Sequence, residues 1–218
     1  MALVERKDNT EEAKLLKAAE ELLKRRRARE AFADFARYIE PLEPPALHHE
    51  LLCNALDRIL SGELRRLMVF MPPGSAKSSY SSVRFPPYFL GRFPTKSIIC
   101  GSYGEGLSTS FGRKVRNIVS SHEFNAVFPH ITLSEDSRAK GEWETNKGGS
   151  YYAVGVGSGV TGRRADLGLI DDPVKGRKDA DSETVREDTW QWYLSDFLTR
   201  LKPGGAQIII RFPFTLCS

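Results

Sequence analysis

The chain has 218 residues, 40% of them hydrophobic and 28% charged, with a formal net charge of +4. That supports one sizeable α/β domain with an added segment, and the mild positive charge is compatible with nucleic acid without indicating it. No run approaches the ~18 apolar residues of a membrane span, and the polar opening MALVERKDNTEEAK is not expected to act as a secretory signal.

Residues 9 to 39 read as one long helix or two consecutive ones, with Leu15, Leu16, Ala19, Leu22 and Leu23 at helical spacing. Lys24, Arg25, Arg26, Arg27 and Arg29 follow as a basic run, expected to be a solvated face before a phosphate contact. Pro41, Pro44 and Pro45 mark a linker, so residues 1–45 form an N-terminal helical segment and 46–218 the main domain. A helix is expected from Ala46 to Ser61, where Gly62 stops it. Cys53, Cys100 and Cys217 have neither disulfide-framework nor zinc spacing, and read as reduced thiols in a cytoplasmic protein.

The apolar strand Leu67 to Met71 leads into Pro72-Pro73-Gly74-Ser75-Ala76-Lys77-Ser78, with a helix expected from Lys77 to about Leu90. A strand, a turn and Lys-Ser opening a helix is the plan of a phosphate-binding loop. Backbone N–H groups and the helix N-terminus face the phosphates, lysine adds a charge, and the hydroxyl ligates Mg²⁺. Both glycines of G-x-x-x-x-G-K-S/T are missing, replaced by Met71 and Ala76, so taken alone the segment is as readily an ordinary turn.

Further strands are expected at Ser97–Gly101, Tyr151–Val156, Leu167–Ile170 and Ala206–Ile210, with helices at Glu105–Ser120 and Ser182–Leu201 and an irregular stretch from 129 to 150. The alternation predicts a mostly parallel sheet covered on both faces. The strand Leu167–Ile170 ends on Asp171-Asp172. One carboxylate near a Mg²⁺ shell and one acid to orient the attacking water are what a nucleotide motor needs, and a helix-capping turn is the alternative. Gly157-Ser158-Gly159-Val160-Thr161-Gly162 spells G-x-G-x-x-G but leads through Arg163-Arg164 into a strand rather than opening a helix. A dinucleotide site is rejected on that ground. The glycines are expected to make a mobile loop presenting Arg163 and Arg164.

The segments MPPGSAKS, SYGEGLSTSFGRKVRNIV, VFP and AVGVGSGVTGRRADLGLIDDPVK, in this order between His48 and Ile210, resemble the ATPase domain of tailed-phage terminase large subunits. The resemblance implies an α/β P-loop NTPase fold of the additional-strand catalytic glutamate class over residues 46–218. It implies ATP and Mg²⁺ as cofactors, and double-stranded DNA, a portal protein and a terminase small subunit as partners. A homo-oligomeric ring in the host cytoplasm, without a membrane, completes the implied setting.

Carried over, Pro72 to Ser78 match the phosphate loop, Ser78 and Asp171 the Mg²⁺ ligands, and Asp172 the catalytic acid, often Glu in relatives. Gly74 stands where many relatives carry an arginine, leaving Arg163 and Arg164 as candidates acting on a neighbouring subunit's ATP. Tyr103 and the helix bearing Arg113, Lys114 and Arg116 are candidate DNA contacts, with a solvated helix face as the equal alternative. Relatives continue past the last strand with a Thr-Arg-Trp-His-like coupling segment and a nuclease domain, whereas here Arg211 to Ser218 reads RFPFTLCS. A truncated or frameshifted chain is therefore expected. A helicase-like nucleic-acid ATPase and an inactive prophage remnant that binds nucleotide without turnover are the competing readings.

Overall fold

A computed structural model describes residues 2–135, 139–160 and 162–211. Its centre is a six-stranded sheet in the order β1-β6-β5-β2-β4-β3, formed by β1 (Arg66–Phe70), β2 (Ser97–Ser102), β3 (Glu142–Glu144), β4 (Ser150–Gly155), β5 (Ala165–Asp171) and β6 (Leu201–Arg211). All pairings are parallel except β3 with β4. The strands are near-continuous apolar runs because alternate residues enter two cores. Ile98, Cys100, Leu167, Leu169, Ile208 and Ile210 face a large core on one side. Ile99, Val154 and Ile170 face a smaller one with Trp192 and Phe197 on the other.

The helices are α1 (Ala2–Glu30), α2 (Phe32–Ile39), α3 (Leu47–Leu60), α4 (Phe85–Arg92), α5 (Glu105–Val119), α6 (His122–Val127), α7 (Arg177–Asp181) and α8 (Glu183–Trp192). The α1–α2 pair occupies the stretch read as one or two helices. Leu15, Leu16, Leu22 and Leu23 of α1 are more than half exposed, so their helical spacing does not mark a buried face here. The basic run is partly taken up by partners within the chain. Arg25 donates to Glu21 and Tyr38, Arg26 to Glu30, and Arg29 to the Val127 carbonyl at 2.6 Å. Phe32, Phe35 and Ala36 of α2 are fully buried in the large core, where Phe35 meets Tyr88, Phe124 and Phe128.

Three expectations need correction. The stretch from 129 to 150 is not wholly irregular: Trp143 at the middle of β3 is fully buried and stacks on Tyr151 at 5.2 Å, adding an antiparallel edge strand. The helix expected over Ser182–Leu201 ends at Trp192, continues as a π-helical turn (Tyr193–Phe197) and a 3₁₀ turn (Leu198–Arg200), and yields to β6. This irregular end sets Phe197 and Leu201 against Gly168, where a Cβ would stand 2.8–2.9 Å from their side chains. β6 accordingly begins at Leu201 rather than Ala206.

Candidate active site

In a parallel sheet, ligands gather beyond the carboxyl ends of the strands. Here β1 delivers the segment 71–78 to that edge and β5 delivers Asp171, with β6 inserted between them: Phe70 pairs with Arg211, and Asp171 with Ile210. An interposed strand is the arrangement expected of the additional-strand class.

The loop's shape follows from its residues. Pro73 and Gly74 are the two central residues of a turn closed by the Ser75 N–H on the Pro72 carbonyl at 3.3 Å, and Gly74 at φ +76° supplies the left-handed conformation that such a turn requires. The Ser75 hydroxyl donates to the same carbonyl at 2.7 Å. Ala76 adopts φ +56°, so the chain takes a left-handed step at the position where the usual motif has glycine. The helix begins at Lys77, as expected, and passes through a π-helical turn (Ser79–Arg84) into α4.

Four predicted residues meet at this edge. The Ser78 hydroxyl donates to Asp171 Oδ1 at 3.1 Å, and Lys77 Nζ stands 3.9 Å from Asp172 Oδ2. Lys77 is buried, Asp171 is only 1% exposed, and Asp172 is reachable by solvent at 32% side-chain exposure. Burial pushes the Asp171 carboxyl up to about 6; the Ser82 and Ser78 hydroxyls oppose that, Asp172 adds to it and Lys77 offsets part. Asp172 is itself left-handed at φ +45°, a conformation aspartate tolerates better than most residues. Its backbone is held on both sides, the N–H by the Ile210 carbonyl at 2.9 Å and the carbonyl by the Tyr103 N–H at 3.2 Å.

Two residues of the site were not anticipated. Ser82 donates to Asp171 Oδ2 at 2.5 Å, fixing the second carboxylate oxygen; its signal is the SSYSS run, which sets Ser82 one turn beyond Ser78. His49 of α3 bonds the Ser75 carbonyl at 2.9 Å, a contact between distant segments that sequence spacing does not announce.

The remaining candidates lie elsewhere. Arg163 pairs with Glu142 and covers the Tyr152 ring at 4.5 Å, while Arg163 and Arg164 line a cleft with Ser97 and Ser150 at the amino ends of β2 and β4. Both precede β5, whose seven residues separate them from Asp171 by roughly 20 Å. They do not face this chain's own loop. Thr161, within the predicted glycine loop, and residues 212–218, where the coupling segment was sought, lie outside the described residues. Tyr103 borders the site through its backbone and is 38% exposed. On α5, Arg113 and Lys114 are exposed, and Arg116 donates to the Ala139 carbonyl at 3.4 Å.

The donor set fits a nucleotide-borne Mg²⁺. Ser78 and Asp171 offer hard oxygen atoms already within hydrogen-bond reach of each other, and such an ion takes most of its ligands from phosphate and water. Among the described residues no three His, Cys, Asp or Glu side chains gather as a metal cage. An apolar groove of about 470 Å³ between α8 and β1–β6, walled by Met68, Trp190 and Ile209, borders this edge but is lined by none of Lys77, Ser78, Asp171 and Asp172.

No protein-family model matches the chain, and no curated protein matches it. Among solved structures, the crystal structure of the HK97 bacteriophage large terminase is similar, at 11% identity and a TM-score of 0.52. The match covers 84% of this chain and 37% of that one, so this chain spans well under half of the terminase's length. At that identity the likeness shows the fold: a terminase-like α/β P-loop architecture. Among the described residues, no helix is long and apolar enough to cross a membrane.

Proposed function

We propose that the chain is the ATP-hydrolysing part of a phage DNA-packaging motor of the terminase large-subunit type, driving double-stranded DNA. One observation carries the reading. Lys77 and Ser78 at a left-handed loop meet two successive carboxylates across an interposed strand, Ser78 to Asp171 at 3.1 Å and Lys77 to Asp172 at 3.9 Å.

The prolines have no N–H, so the loop's phosphate-facing amides come from residues after Pro73, joined by the Lys77 ammonium. Mg²⁺, held by Ser78 and Asp171, supplies neutralising charge at the phosphates when bound. Ser82 keeps the second oxygen of Asp171 turned away from rotation. Asp172, solvent-reachable and fixed through its backbone, accepts the proton of the attacking water. Lys77 leaves its long pairing with Asp172 for the phosphates. Arg163 and Arg164 serve a neighbouring subunit in a ring, since they lie at the far end of β5 from their own loop. Tyr103 and the basic face of α5 with Arg113, Lys114 and Arg116 are the proposed DNA contacts. The portal protein and the terminase small subunit are the proposed partners, in the host cytoplasm.

Steady-state ATP hydrolysis with and without duplex DNA tests the reading. Asp172→Asn should keep Mg·ATP binding and lose turnover by ~10² or more, because an amide cannot take the proton. Full turnover in that variant, or its loss in Asp171→Asn with binding intact, would reverse or remove the assigned roles.

A further inference from the structure

We propose that His49 is a positioning residue for the phosphate loop, gripping the Ser75 carbonyl so that the strained Ala76 step stays formed; this rests on the nucleotide-binding reading above. The Ala46 N–H donates to His49 Nδ1 at 3.1 Å, so the neutral ring carries its proton on Nε2 and donates it to the Ser75 carbonyl at 2.9 Å. The ring also lies on Tyr80, at 4.3 Å between centroids and 20° between planes. Tyr80 belongs to the π-helical turn after the loop, and its N–H bonds the Ala76 carbonyl at 3.1 Å. One imidazole thus ties α3 to both the loop and the helix that the loop opens.

The consequence follows from peptide planarity. The Ser75 carbonyl and the Ala76 N–H belong to one trans unit and point in opposite directions. A carbonyl turned toward α3 aims the Ala76 N–H away from it, and that N–H is among the few donors a loop beginning Pro-Pro has to offer. Ala76, at φ +56°, is in a conformation disfavoured for any residue with a Cβ. Without an external hold, the Ser75–Ala76 peptide has a reason to flip. Where the usual motif has glycine that reason vanishes, so the histidine compensates for an alanine.

Calorimetric titration with Mg·ADP tests this in five chains: wild type, His49→Phe, His49→Gln, Ala76→Gly and the Ala76→Gly/His49→Phe double variant. His49→Phe keeps a ring on Tyr80 but has no donor, and should raise Kd about 5-fold, the worth of one net hydrogen bond, at the same melting temperature as His49→Gln, since both variants lose the Ala46 contact to Nδ1. His49→Gln, which places an amide N–H near the reach of Nε2, should recover most of that loss. In an Ala76→Gly background the effect of His49→Phe should shrink to less than about half of its fold-change, because the flip no longer relieves strain. Equal Kd values for wild type and His49→Phe would overturn the proposal while leaving the nucleotide site standing. Equal impairment of the Phe and Gln variants with lowered melting temperatures would overturn it in favour of packing. A wild-type chain that binds no Mg·ADP would overturn the nucleotide reading, and the proposal with it.

Discussion

At the scale of single residues, the buried carboxylate of Asp171 lies at the centre of the candidate site and carries a cost. Its carboxyl is raised by burial to about 6 from an ordinary 3.8. Between these values the folded chain keeps a proton that the unfolded chain has released, so stability falls as pH rises through that window. The full loss is ~3 kcal/mol by neutral pH. Asp171→Asn should therefore be more stable than wild type at pH 7 and no different near pH 3, as thermal melts across that range would show. Addition of Mg·ATP should stabilise the wild type more at pH 7 than at pH 5 and have little effect on the variant. An apo wild type whose stability rose steadily from pH 4 to pH 7 would contradict this account of Asp171. The residues that make this arrangement were unevenly legible. Lys77, Ser78, Asp171 and Asp172 were readable because the loop and the acidic strand each carry a local pattern. Ser82 was hidden in a polar run whose helical phase is altered by a π-helical turn. His49 was hidden because its partner, Ser75, is fixed by tertiary packing.

At the scale of elements, α2 tests whether the N-terminal helices are an appendage or part of the body built on the sheet. Phe35 is fully buried, 5.1 Å from Tyr88 of α4 and 6.3 Å from Phe124 of α6. Phe35→Ala should cost about 3–5 kcal/mol in chemical denaturation, the range of a large aromatic deletion in a closed core. A loss under about 1 kcal/mol would mean that α2 is only loosely attached. The parallel sheet was legible because strands buried on both faces read as unbroken apolar runs, as in Leu167 to Ile170. β3 was not: its single buried residue, Trp143, lies between two glutamates, and three residues are too few for a period to emerge. The end of α8 was missed for a different reason. Residues 193–200 keep helical composition but leave the α-helical period, first for a wider π turn and then for a 3₁₀ turn, with Phe197 against Gly168, so contact with the sheet, not propensity, ends the regular helix.

At the scale of the whole molecule, the sheet separates two groups of functional candidates. Lys77, Ser78, Asp171 and Asp172 stand at the carboxyl edge, whereas Arg163 and Arg164 stand beyond the amino end of β5. Under the proposed function these arginines act on the nucleotide of another copy. Arg163→Ala or Arg164→Ala should leave nucleotide affinity of the monomer unchanged and reduce hydrolysis in assembled rings by ~10³ or more, the worth of an arginine supplied in trans. Mixing such a variant with Lys77→Ala subunits should restore part of the activity, and absence of rescue in confirmed mixed rings would count against a role in trans. All of this depends on the loop holding nucleotide. The most direct measurement is equilibrium binding of Mg·ATP to the wild-type chain and to Lys77→Ala, compared by titration calorimetry. The account predicts saturable binding by the wild type and a loss of at least ~10-fold in affinity for the variant, from removal of a buried charge-assisted contact to phosphate. Equal affinity in the two chains, or no binding by the wild type, would contradict it.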